Sequence, residues 1–139
     1  MRKFLLFAVA IVLFAACTPK TTISGSITDA EGKTIYLEHS GLNTHALLDS
    51  AKLDANGGFK FSVKTPQYPD FYRISLGGQL VVIALDATSK SVNVTASGKD
   101  LNNATIEGSE ASVEIQRLRN SNFELQRAAV EGDTAKVAQ

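Results

Sequence analysis

The sequence predicts an all-β sandwich or flattened barrel of about eight antiparallel strands followed by a C-terminal α-helix, and three observations carry that expectation. From Thr22 to Glu107 apolar and polar residues alternate with a period of two, the pattern of half-buried strands. Clusters of Gly, Asp, Asn and Pro break the alternation about every ten positions, the spacing of strands joined by tight turns. After Gly108 the apolar residues recur at helical spacings instead.

Taken in order, Ile23, Gly25 and Ile27 alternate with Thr22, Ser24 and Ser26. Asp29-Ala30-Glu31-Gly32 then turns the chain into Lys33 to Glu38, and the two segments read as a first hairpin. Ala46 to Leu53 reads as a strand, Asp54-Ala55-Asn56-Gly57-Gly58 as its turn, and Phe59, Phe61 and Val63 as the inward side of the returning strand. Pro66-Gln67-Tyr68-Pro69 lacks two ladder donors and reads as a connection before Phe71 to Leu76. Gly77-Gly78 reverses the chain into Leu80 to Leu85, whose unbroken apolar run predicts either a central strand covered on both faces or a strand lying under the terminal helix. Val92, Val94 and Ala96 alternate again, Gly98-Lys99-Asp100 turns, and Thr105-Ile106-Glu107 closes the series.

Ser109 is placed to cap the helix, with Glu110 and Glu114 near its positive end. Ala111, Ile115, Leu118, Leu125 and Ala129 form its predicted apolar stripe, interrupted at Asn122. Glu114 with Arg117 and Glu124 with Arg127 are predicted exposed pairs, each worth a few tenths of a kcal/mol. Glu131-Gly132-Asp133-Thr134 is expected to interrupt the helix, with Asp133 or Thr134 opening a second one.

The N-terminus has a different character. Residues 1–16 hold about 14 of the roughly 61 hydrophobic residues of the 139-residue chain, and the rest is only about 38% hydrophobic, as in an ordinary soluble domain. Met1-Arg2-Lys3 followed by the apolar run Phe4 to Ala16 reads as an export signal. As a helix that run would rise about 20 Å, short of the ~30 Å hydrocarbon core, so a permanent spanning helix is the weaker reading. Without Arg2 and Lys3 the chain carries 12 basic and 14 acidic side chains, which offers no footprint for nucleic acid. With Cys17 as the sole cysteine, the chain can form no intramolecular disulfide and no CxxC pair.

Leu13-Phe14-Ala15-Ala16-Cys17 resembles a bacterial lipobox, with Phe14 where that pattern more often has Leu. The resemblance implies a lipidated Cys17 that anchors the protein to a membrane; the polar residues that follow read as a tether over residues 17–22, and the alternating stretch as a β domain over 22–107. The helical segment 108–139 then reads as a connector to a further domain. The tether has no acidic residue after the cysteine, which favours the periplasmic face of a Gram-negative envelope over surface export.

Candidate sites are few. His39 and His45, with Glu38 and Asp49, match no zinc spacing and are expected to be solvent-facing loop histidines. Ser24 and Ser26 alternate in a strand and lie in no GxSxG elbow, while Asp49 and Asp54 read as hairpin and turn residues. Gly57-Gly58 and Gly77-Gly78 join strands and open no phosphate-binding helix. Tyr36, Tyr68, Phe71 and Tyr72 form the aromatic surface that could bind a glycan, a peptide or a protein partner.

Further stretches carry a family resemblance: Ile23-Ser24-Gly25-Ser26-Ile27, Gly32 to Leu37, Leu48-Asp49-Ser50, Gly57 to Phe61, Phe71-Tyr72-Arg73-Ile74 and Ile106-Glu107-Gly108-Ser109. With the signal and Cys17, they resemble an N-terminal domain of unknown function of envelope lipoproteins, one that usually precedes a helical segment and a thioredoxin-like thiol-disulfide oxidoreductase domain. The shared residues are structural, and no CxxC is present to which redox activity could be transferred. The expectation is a membrane-anchored, non-catalytic accessory domain without cofactor or metal, the N-terminal part of such an oxidoreductase. The alternative is a stand-alone envelope binding module.

Overall fold

The computed structural model describes residues 17–137, so the export signal read over 1–16 lies outside the described residues. Among these, eight strands form two four-stranded sheets packed as a sandwich, followed by one helix. The first sheet contains β4 (Gly58–Lys64), β1 (Lys20–Thr28), β7 (Ser91–Ser97) and β8 (Asp100–Glu107) in that spatial order. The second contains β3 (His45–Lys52), β2 (Thr34–Ser40), β5 (Asp70–Leu76) and β6 (Gln79–Leu85). The helix α1 runs from Glu110 to Val137.

The alternation placed the inner faces of β1, β4 and β7 correctly, with Ile23, Ile27, Phe59, Phe61, Val63, Val92 and Val94 all buried in one core. The pairing of strands is corrected at two turns. The segments on either side of residues 29–33 are not a hairpin, because β1 pairs with β4 and β7 whereas β2 pairs with β3 and β5. The chain turns at Asp29 (φ 57°) and Gly32 (φ 76°), crosses from one sheet to the other, and buries Ala30 at the crossing. Gly57 (φ 74°) likewise turns the chain between sheets, since β3 and β4 share none. Period-two alternation decides which face is buried but says nothing about which neighbour completes the backbone ladder, and a turn serves a hairpin or a crossing equally well. Gly77 and Gly78, with φ of 55° and 85°, do make a two-residue hairpin, pairing Leu76 with Gln79. One contact also departs from antiparallel geometry: β1 and β7 run parallel, from Thr22 beside Ser91 to Thr28 beside Ser97.

The apolar strand β6 is an edge strand, not a central one. Its consecutive buried residues Ala84 and Leu85 follow from the other expectation, cover by α1. Ser112 Oγ accepts the Ala84 N–H at 2.8 Å, and the Ser109 hydroxyl donates to the Ala84 carbonyl at 2.8 Å. Ser109 Oγ in turn accepts the Ser112 N–H, the capping bond expected of it. Further along the helix, the side-chain amides of Gln116 and Asn120 donate to carbonyls of the other edge strand, at Asn102 and Ala104 of β8. Gln79 closes the far end of the same opening, donating to the Gly98 carbonyl and accepting the Leu101 N–H.

The packed face of α1 is therefore the polar-centred one carrying Ser112, Ile115, Gln116 and Asn120. Of the predicted stripe only Ile115 is partly buried, and Leu118 and Leu125 are 55% and 68% exposed. The helix also runs unbroken through Glu131-Gly132-Asp133-Thr134. One glycine costs a helix only about 1 kcal/mol, and Arg127 donates to Glu131 across the preceding turn rather than to Glu124.

Ser112→Ala removes the partner of a buried backbone N–H and is expected to cost about 1–3 kcal/mol in urea unfolding. Gly25 lies where an added Cβ would meet the carbonyl oxygen of Val94 on β7. Gly25→Ala is accordingly expected to abolish cooperative folding, read by loss of the thermal transition.

Candidate interaction surfaces

The outer face of the second sheet is built in cross-strand rows. Leu47, Glu38, Arg73 and Val82 are successive Cα partners across all four strands, and Ser50, Tyr36, Ser75 and Leu80 form the next row. Glu38 and Arg73 make a close, largely screened ion pair at the centre of this face. The hydrogen bond from Arg73 holds the Glu38 carboxyl below its ordinary value, outweighing the opposing effect of partial burial. Tyr36 and Phe71 are both exposed on this face, on opposite sides of the ion pair. Four residue steps lead from Phe71 to Ser75, the partner of Tyr36, a span of about 13 Å along a strand.

The other two members of the predicted aromatic surface lie elsewhere. Tyr68 is 78% exposed in the 66–69 connection. Tyr72 is only 6% exposed and belongs to the core, because its position on β5 has the opposite parity to Phe71 and Arg73. Burial, with the nearby Asp70 charge, raises its phenol above the ordinary tyrosine value. The rings of Tyr72 and His39 meet edge to face at a centroid distance of 5.6 Å.

His39 is corrected from a loop to a strand residue. It lies on β2, half-buried, with Nε2 at 2.9 and 2.8 Å from the two Asp70 carboxylate oxygens, fastening the end of β2 to the start of β5. His45 opens β3 beside the Ser40 hydroxyl. Glu38 is held by Arg73, and Asp49 accepts the Ser50 N–H, so the four residues weighed as metal ligands have separate partners. No group of three or more His, Cys, Asp or Glu stands together among the described residues. Asp54 accepts the Asn56 and Gly58 N–H groups in its turn, and Ser24 and Ser26 lie in β1 between β4 and β7.

Two features lie at the ends of the sandwich. Cys17 is exposed and only two residues separate it from β1, so the tether is shorter than the 17–22 segment expected. The Pro19 carbonyl already accepts the Thr65 N–H, which ties the segment after Cys17 to the folded body. From there β1 runs away from Cys17, β7 runs parallel to it, β8 returns, and α1 runs back along β8 from Ala104 towards Asn102. The far end of the helix therefore points away from the end that carries Cys17. Beside β8 the helix forms an open, mainly apolar groove of about 1020 Å³.

These features define a β-sandwich domain whose open edge is closed by a C-terminal helix. The chain belongs to the family described as a domain of unknown function, DUF4369, whose model matches residues 21–114. No curated protein matches the chain. The matched segment ends just after Ser112, so the family unit includes the serines that seal β6 and leaves most of α1 outside it. The polar seal went unread in the sequence, though its signal is there in the recurrence of Ser109, Ser112, Gln116 and Asn120 at helical spacing, on the side of the helix away from Leu118 and Leu125.

Because the Glu38 carboxyl titrates lower in the folded than in the unfolded chain, its stabilising contribution is present above the ordinary value of 4.5 and is lost as pH falls through the folded value. The stability advantage over Glu38→Gln, measured by chemical denaturation, is expected to be largest near pH ~6 and to shrink towards pH ~3.

Proposed function

We propose that the chain is a membrane-anchored, non-catalytic domain of a Gram-negative cell envelope, facing the periplasm, that holds a thioredoxin-like thiol-disulfide oxidoreductase domain or partner away from the bilayer. The observation that carries this reading is the placement of Cys17 and the far end of α1 at opposite ends of the sandwich. A lipidated Cys17, with so few residues before β1, would keep the body within about 10 Å of the headgroups. A helix of 28 residues spans about 42 Å, enough to carry what it joins or meets past the distal end of the sandwich. The lipobox-like run before Cys17 and the resemblance to lipoprotein domains that precede thioredoxin-like domains support the same reading. Redox chemistry would belong to the partner, since Cys17 is the sole thiol here.

A second reading, a stand-alone binding module for a glycan, peptide or protein, rests on Tyr36 and Phe71 flanking the Glu38–Arg73 pair.

For the anchored reading, the intact mass of protein extracted from native membranes is expected to exceed that of the polypeptide from Cys17 by a set of acyl chains. Cys17→Ala is expected to lose this increment and the membrane association with it. Retention of the Cys17→Ala protein in washed membranes would sink the anchor, and absence of any co-isolated or covalently continuous thioredoxin-like domain would sink the partner.

A further inference from the structure

The groove beside α1 has one wall formed by Ala104 and Ile106 of β8 and the other by the helix face that includes Val113, Arg117, Glu124 and Ala128. These four helix positions are related by reversal: turning the helix about the step between Asn120 and Ser121 places Val113 opposite Ala128 and Arg117 opposite Glu124. We propose that two copies of the chain pair through α1, the helices antiparallel and crossing at that step, so that each helix seats in the other's groove.

Charge selects both the occupant and its direction. An antiparallel second copy supplies a glutamate to each Arg117 and an arginine to each Glu124, whereas a parallel copy would set like charges against each other. Among the described residues Glu124 has no ion pair. The Arg117 pair with Glu114 is exposed and therefore weak, so exchanging it for Glu124 of a second copy costs little. Val113 and Ala128 are small enough to let the helices approach at both ends of the contact. Leu125 at the groove's rim, 68% exposed in the single chain, would be covered. The body of each copy, which holds the first turns of its own α1, would lie beside the exposed second half of the other helix. Antiparallel helices set the two Cys17 ends at opposite ends of the pair, so this pairing joins chains free of the membrane and excludes two copies anchored side by side in one bilayer under the function proposed above.

Sedimentation equilibrium of the acyl-free chain from Cys17, kept reduced, is the test. The expected result is a reversible monomer–dimer equilibrium that weakens with salt. Arg117→Glu and Glu124→Arg, each shown folded by circular dichroism, are expected to weaken self-association at least tenfold. An equimolar mixture of the two variants is expected to recover the dimer, because one then carries only glutamates and the other only arginines at the paired positions. The mixed sample also guards against misfolding of either variant, since an unfolded variant could not restore association. A monomer up to about 0.5 mM, a dimer indifferent to both substitutions, or a mixture that stays monomeric would each overturn the proposal.

Discussion

A two-sheet sandwich leaves edge strands whose outward N–H and C=O groups must find partners or water, and in this protein the side between β6 and β8 is where that demand is met by design of the helix. Ser109 and Ser112 complete both backbone groups of Ala84 on β6, and Gln116 and Asn120 reach the carbonyls of β8. The first turns of α1 thus act as a surrogate strand made of side chains. The rest follows from this contact: it fixes where the helix starts, which face it turns to the body, and how it runs along β8. It also explains why the buried face of α1 is polar at its centre, since an apolar stripe there would leave the edge groups unsatisfied.

The opposite consequence appears on the second sheet. Among the described residues its outer face carries no helix, and its centre is occupied by Glu38 and Arg73, directly across β2 and β5 from each other. A charged pair in a cross-strand row keeps this face from presenting a continuous apolar surface, while leaving Tyr36 and Phe71 on either side. On the inner side, Tyr72 and His39 show how a polar residue is accommodated near the end of the core: the phenol is buried, and the imidazole is held by Asp70 where β2 ends.

The direction of the chain gives the domain a polarity. β1 leaves the Cys17 end, and because β7 is parallel to β1 and α1 retraces β8, the helix leaves at the other end. A sandwich with parallel first and seventh strands thus sets the Cys17 end and the far end of the helix apart without a long linker. The same helix, exposed beyond its first turns, is the element with surface to offer a partner, and its charge order favours an antiparallel one.

By itself the sequence determined the class of fold, the inward residues of β1, β4 and β7, the Ser109 cap and the isolation of Cys17, because each of these is set by local periodicity, backbone preference or simple counting. Only the tertiary structure decided that the turns after β1 and β3 cross between sheets, that β6 lies at an edge, and that Tyr72 points inward while Phe71 does not. It also decided which face of α1 is buried: Leu118 and Leu125 look like the core side by hydropathy, yet the helix docks through Ser112, Gln116 and Asn120. The physical reason is common to all these cases. Hydrophobic patterning reports whether a side chain prefers to leave water, whereas strand order and helix docking are set by which backbone hydrogen bonds remain to be completed, and those partners lie many residues away in sequence.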